Sequence, residues 1–129
     1  MREIHFRAKN LDDWLEDKNS VKWFYGDLMH DGGESRCLFF QEDGSDMEVD
    51  PDTVGQFTGM YDNDGKEIYE GDILQNISFP EVYLPVNWYH GCWIVGNADS
   101  EEYNVLYDVL RDFKMLVVGN IHENPELLR

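Results

Sequence analysis

Asp62-Asn63-Asp64-Gly65-Lys66-Glu67 is the stretch of this sequence that comes nearest to a chemical site. Alternating acids followed by glycine open a calcium loop, which needs oxygen donors at its first, third and fifth positions, glycine at the sixth and glutamate at the twelfth. Counting from Asp62, the fifth position is Lys66, the sixth is Glu67 and the twelfth is Ile73. The oxygen cage cannot close, and Asp64-Gly65 reads instead as a tight turn, with the glycine supplying its positive φ. The four histidines, His5, His30, His90 and His122, are scattered. His90 and Cys92 stand two apart, which on a strand puts both on one face. Structural zinc takes four ligands, and this pair supplies half of them. No GxSxG run or local Cys–His signature offers a nucleophile beside a base. MHDGGES has glycines but no Lys-Ser/Thr behind them, so it cannot cradle a phosphate and reads as a turn. The reading is therefore no catalytic residue, no cofactor and no metal.

The elements that position these residues are mostly strands. In REIHFRA, Ile4 and Phe6 alternate with Glu3, His5 and Arg7, which is strand periodicity. Asn10 then caps a short helix carrying Leu11, Trp14 and Leu15 on one face. From Val21 to Val49, β-forming runs alternate with the turns DGGES and EDGSD and predict a β-meander. Asp50-Pro51 predicts one helical turn. VGQFTG is a short strand. IYEGDILQNI is a strand that Gly71 bulges or sharply bends, with Asp72 accepting from nearby amides to pin the bend. EVYLPVNWYH and GCWIVG form a hairpin with His90-Gly91 at its tip, and Pro85 puts its first strand at an edge or a bulge. Asp99 and Glu102 suggest a capping box, and Tyr103, Leu106, Tyr107, Leu110 and Phe113 recur at helical spacing, so a helix is expected over about 100–113. KMLVVGNI is the final strand, and Asn124-Pro125 opens a last helical turn.

The chain has 129 residues, enough for one domain or two small subdomains, with a division near Val49 to Val54. The expected parts are an N-terminal meander over 1–53 and a C-terminal part of closely spaced strands over 54–129. The 10 Lys and Arg stand against 27 Asp and Glu, a net charge of 10 − 27 = −17. Such a chain repels phosphate backbones and anionic lipid, so no nucleic-acid or membrane partner is expected. The N-terminal run lacks a signal-peptide core, and the chain reads as cytoplasmic. Cys37 and Cys92 form either one disulfide or two thiols, and the missing secretory signal favours thiols.

Three runs carry a family resemblance: REIHFRA, VDPDTVGQFTGMYDNDGKEIYEGDIL and VVGNIHENPELL. Together they resemble the YopX family of phage and prophage proteins. KNLDDWLEDKNS departs from the brief turn usual there. The resemblance implies a phage origin, a host-cytoplasmic location and a small SH3-type barrel in the C-terminal part, and it brings no catalytic residues. The fold expected is thus mainly β with minor α. Gly55, Gln56, Phe57, Gly59, Gly71, Asp72, Asn124 and Pro125 read as its structural motif. The expected role is a non-enzymatic binding or assembly module. The alternative is an acidic decoy that imitates nucleic acid and occupies a DNA-binding protein. Four Trp, seven Tyr and seven Phe are many for one small core. Trp23, Tyr25, Trp88 and Trp93 are therefore the expected interface residues of a homo-oligomer.

Overall fold

The computed structural model describes residues 3–17, 22–31, 36–41 and 43–128. The glycine turn expected at DGGES lies outside them, at residues 32–35. The structure is mainly β and divides into two compact units, Met1–Phe57 and Thr58–Arg129.

In the first unit, β1 (Phe6–Ala8) is followed by α1 (Leu11–Glu16). Asn10 caps that helix as expected, its Oδ1 accepting from the Asp13 N–H at 3.1 Å. Six residues bury only one position deeply. Trp14 is inside, whereas Leu15, expected on the same face, is 62% exposed. β2 (Phe24–Gly26) pairs with β1. β3 (Leu28–Asp31), β4 (Arg36–Phe40) and β5 (Asp46–Val49) form an antiparallel sheet in chain order, so the meander is observed. A 3-10 turn, Pro51–Thr53, follows, with the Asp50 carboxylate accepting from the Asp52 N–H at 3.0 Å. β6 (Gly55–Tyr61) begins by pairing Gly55 and Gln56 with Arg7 and Phe6. Ala8, Phe39 and Val49 centre this unit's core.

Lys9 is 1% exposed in this unit, an unusual place for a cation. Its ammonium lies 4.3 Å from the Trp23 ring centroid and 5.4 Å from that of Trp14. The Arg7 guanidinium lies 4.5 Å from the Trp23 ring. The Trp23 ring and its quadrupole thus take up two cations.

The second unit contains the rest of β6, then β7 (Glu67–Tyr69), β8 (Asp72–Asn76), β9 (Tyr83–Tyr89), β10 (Cys92–Asn97), β11 (Glu102–Val105), α2 (Leu106–Asp112) and β12 (Met115–Asn120). Gly71, at φ 90, turns the chain out of β7, which neighbours β6, into β8 of a second sheet. Asp72 pins that bend: its Oδ2 accepts from the Tyr69 N–H at 2.8 Å. At the β9–β10 tip, His90 (φ 49) and Gly91 (φ 79) both take the positive φ of a type I′ turn. The second sheet runs β11-β10-β9-β8-β12. Leu74, Val86, Val95 and Met115 from that sheet pack with Ile68 and with Leu106 and Val109 of α2 into this unit's core.

Three expectations are corrected. No barrel closes among the described residues, because β11 and β12 stand at opposite edges of the five-strand order. The helix expected over 100–113 is a strand and then a shorter helix. The Asn97 carboxamide accepts from the Asp99 N–H at 2.9 Å and starts a turn, so Asp99 caps no helix. Glu102–Val105 returns as β11 against β10, and α2 begins at Leu106 without a side-chain cap. Pro85 lies in β9, a central strand rather than an edge. It is tolerated there because pairing with β10 ends at Val86↔Val95, leaving no ladder bond on that side for its missing N–H. Among the described residues, no helix is long and apolar enough to cross a membrane.

Candidate functional site

Much of the expected structural motif is spent on the fold. Phe57 is 3% exposed and stacks on His5, with ring centroids 4.5 Å apart. Gly59 takes φ 82 with open space where a side chain would stand, so its role is conformational. Asn124 Oδ1 accepts from the Asn120 N–H at 3.2 Å, and the Leu127 N–H bonds to the Asn124 carbonyl at 3.1 Å. That pair starts the closing 3-10 turn, Pro125–Leu128.

The four interface candidates separate. Tyr25 is 59% exposed and Trp88 is 54% exposed. Trp23 is half-buried over Arg7 and Lys9, and Trp93 is half-buried against the second unit's core. Trp88 and Trp93 are cross-strand partners whose rings meet edge to face at 4.8 Å.

His90 and Cys92, considered as a ligand pair, do not act as one. His90 is a left-handed turn residue stacked on Tyr89 at 4.0 Å, while the Cys92 thiol points to the Trp93 carbonyl at 3.5 Å. The cysteine–histidine contact that does form was not anticipated. Strand pairing sets Cys37 opposite His30, with Sγ 4.0 Å from Nε2. Burial pushes the Cys37 thiol above the ordinary thiol range, the opposite of what a nucleophile needs. Both cysteines are thiols.

A feature with room for a ligand lies in the second unit: an open cavity of about 530 Å³ beside β9 and β10. That volume is within the usual span for ligand sites, roughly 300–1,000 Å³. β9 lines it with Tyr83, Pro85, Asn87 and Trp88. Gly96 of β10, Asp99 of the following turn, Glu102 of β11 and Leu128 of the closing turn also line it.

Local hydrogen bonds hold several of these groups. Gln75 Nε2 donates to the Tyr83 hydroxyl at 3.3 Å. Asn87 Nδ2 donates to the Gly96 carbonyl at 3.1 Å. Gly96, at φ 113, lets β11 approach so closely that a Cβ there would overlap the Glu102 carbonyl oxygen. The Asn97 turn sets Asp99, and Trp93 braces Trp88. Asn124 and the bend at Gly71 support the same place. The Gly71 N–H bonds to the Val86 carbonyl at 2.8 Å, and the Ile121 N–H to the Gly71 carbonyl at 2.9 Å. Residues read as a structural motif therefore anchor the strand and the turn that line the cavity. Sequence reading missed the cavity because Asp99 and Glu102 were assigned to a helix cap. The usable signal was the alternation that puts Tyr83, Pro85 and Asn87 on one face of a strand.

A family model described as YopX protein matches residues 17–129. This chain belongs to the YopX family. The match starts after the REIHFRA run, which the resemblance had included. A crystal structure of protein EF1440 from Enterococcus faecalis is similar over 100% of both chains, at 25% identity and a TM-score of 0.64. The crystal structure of yopX from Bacillus subtilis is similar over 100% of both chains, at 15% identity and a TM-score of 0.57, a likeness of fold alone. No curated protein matches the sequence. In this YopX-family chain the GKEIYEGDI and GNIHENPELL runs supply Gly71, Asp72 and Asn124, the groups that brace the cavity.

Proposed function

We propose that this YopX-family protein is a non-enzymatic binding module and that the cavity beside β9 and β10 is its binding surface. The observation that carries the reading is a preformed cavity whose lining side chains Tyr83 and Asn87 are each tied by a hydrogen bond, with the Asp99 backbone fixed by the Asn97 turn. Groups held in place lose little entropy on binding, which favours contact surfaces. The sequence supports the absence of catalysis, since it has no nucleophile–base signature. The family resemblance supports a phage or prophage origin and action in the host cytoplasm, and the net charge of −17 argues against duplex DNA as the partner.

A net charge of −17 favours a second reading, an acidic decoy for a DNA-binding protein. A photo-crosslinking amino acid at position 98, which also lines the cavity, separates the two readings. With host lysate, the proposal expects one adduct that is competed by excess wild-type protein but not by a Tyr83→Ala variant. An adduct with a DNA-binding protein that both competitors displace equally favours the decoy. No adduct at any lysate concentration contradicts the cavity as a binding surface.

A further inference from the structure

We propose that His30 and Cys37 form a two-coordinate site for a soft monovalent metal ion, with copper(I) as the ion it takes. The site lies in the first unit and is independent of the cavity beside β9 and β10.

The first argument is placement. Strand pairing sets His30 of β3 directly opposite Cys37 of β4, so the ladder fixes the two side chains rather than a loop. The Cys37 Sγ lies 4.0 Å from the His30 Nε2. Among the described residues, neither side chain has a further hydrogen-bond or ionic partner. His30 is exposed on an edge strand, which gives an ion a way in. Cys37 is half-buried against the core of Ala8, Phe39 and Val49, which puts the sulfur at an apolar rim.

The second argument is coordination. Bonds of about 2.0 Å to imidazole nitrogen and about 2.3 Å to thiolate sulfur span that gap only at an angle wider than tetrahedral. No third His, Cys, Asp or Glu among the described residues comes within ligand reach of the pair. Structural zinc closes four positions, and calcium takes six or more oxygens, so neither is served. Copper(I) favours thiolate, accepts imidazole and is satisfied by two donors near a line.

Charge points the same way. Coordination forms one S–Cu bond and one N–Cu bond, the thiol proton leaves to solvent, and no oxidation state changes. Thiolate, copper(I) and neutral imidazole then sum to zero. A neutral centre suits an apolar rim, whereas a divalent ion on the same two donors would leave a net positive charge there.

The test titrates the full chain with copper(I) in oxygen-free buffer against bicinchoninate, a coloured copper(I) chelator. One ion per chain is expected, with one proton released. X-ray absorption should show one sulfur and one nitrogen neighbour. Cys37→Ser should abolish binding. His30→Ala should weaken it at least roughly a hundredfold, more than the loss of an outer-shell group costs. Cys92→Ser should leave it unchanged, because that thiol meets only the Trp93 carbonyl. Thermal melts verify folding, and the exposed His30 keeps the pair testable if Cys37→Ser unfolds. Unchanged affinity in His30→Ala, or equal weakening by Cys92→Ser, would mean that any thiol suffices and would overturn the site. Binding that survives Cys37→Ser would assign the ion to the acidic surface. Displacement by equimolar zinc would overturn the two-coordinate reading.

Discussion

Asp62 shows how a residue that looked like a metal ligand is used by the fold. It is 8% exposed, and its carboxylate accepts from the Asp64 and Lys66 N–H groups at 2.9 Å and from the Val117 N–H at 3.0 Å. The carboxylate thus shapes the tight turn and ties it to β12. The donors are only partly buried, and water can reach those of the exposed Asp64 and Lys66 once the carboxylate is gone. Asp62→Ala should therefore lower stability by about 1–3 kcal/mol in urea unfolding, roughly the cost of one unsatisfied donor. Stoichiometric calcium should leave the wild-type melting temperature unchanged, because a ligand that binds only the native state must raise it. A rise with calcium would mean that the oxygens are available after all. Residues acting on their neighbours in sequence were legible: Asn10, Asp50 and Asp72 all accept the local amides their positions suggested. The Asp62–Val117 bond spans fifty-five positions, and no local pattern announces it.

Among the elements, strands with turn chemistry at both ends were readable, as in the His90-Gly91 hairpin and the β3-β4-β5 meander. β11 was not, because its residues also fit a helical period. Of the face the spacing suggested, Leu106 and Leu110 pack, joined by Val109, whereas Tyr103, Tyr107 and Phe113 are 38%, 61% and 48% exposed. What decides between strand and helix is tertiary. Gly96 lets the backbone at Glu102 and Tyr103 come close enough to pair, a contact visible only once β10 and β11 are side by side. Gly96→Ala adds a Cβ at φ 113 against backbone that cannot yield. It should cost about 2–4 kcal/mol, within the range for strain at special backbone positions. Hydrogen exchange should accelerate most in β11. Unchanged exchange there would show that β11 does not depend on this close approach.

For the whole molecule, composition limited the class of partner but could not assign surfaces. The excess of aromatics suggested four exposed rings. Burial leaves two, Tyr25 and Trp88, because Trp23 covers cations and Trp93 covers the core. Phe40, 55% exposed, adds to the surface available in the first unit. We expect these rings to support a homo-oligomer opposed by the repulsion of a chain at −17. Light scattering should then show mass rising with salt, and a monomer mass at every salt concentration well above micromolar protein would end that expectation.

The claim on which the rest depends is that the cavity beside β9 and β10 is where this YopX-family protein meets its partner. The most direct measurement is a titration of the isotopically labelled full chain with the host protein captured by the position-98 crosslink, followed by backbone N–H resonances. The account predicts shifts confined to residues 83–88 and 96–102, all following one saturating curve. Shifts spread over acidic residues of both units, or none at saturating partner, would contradict it.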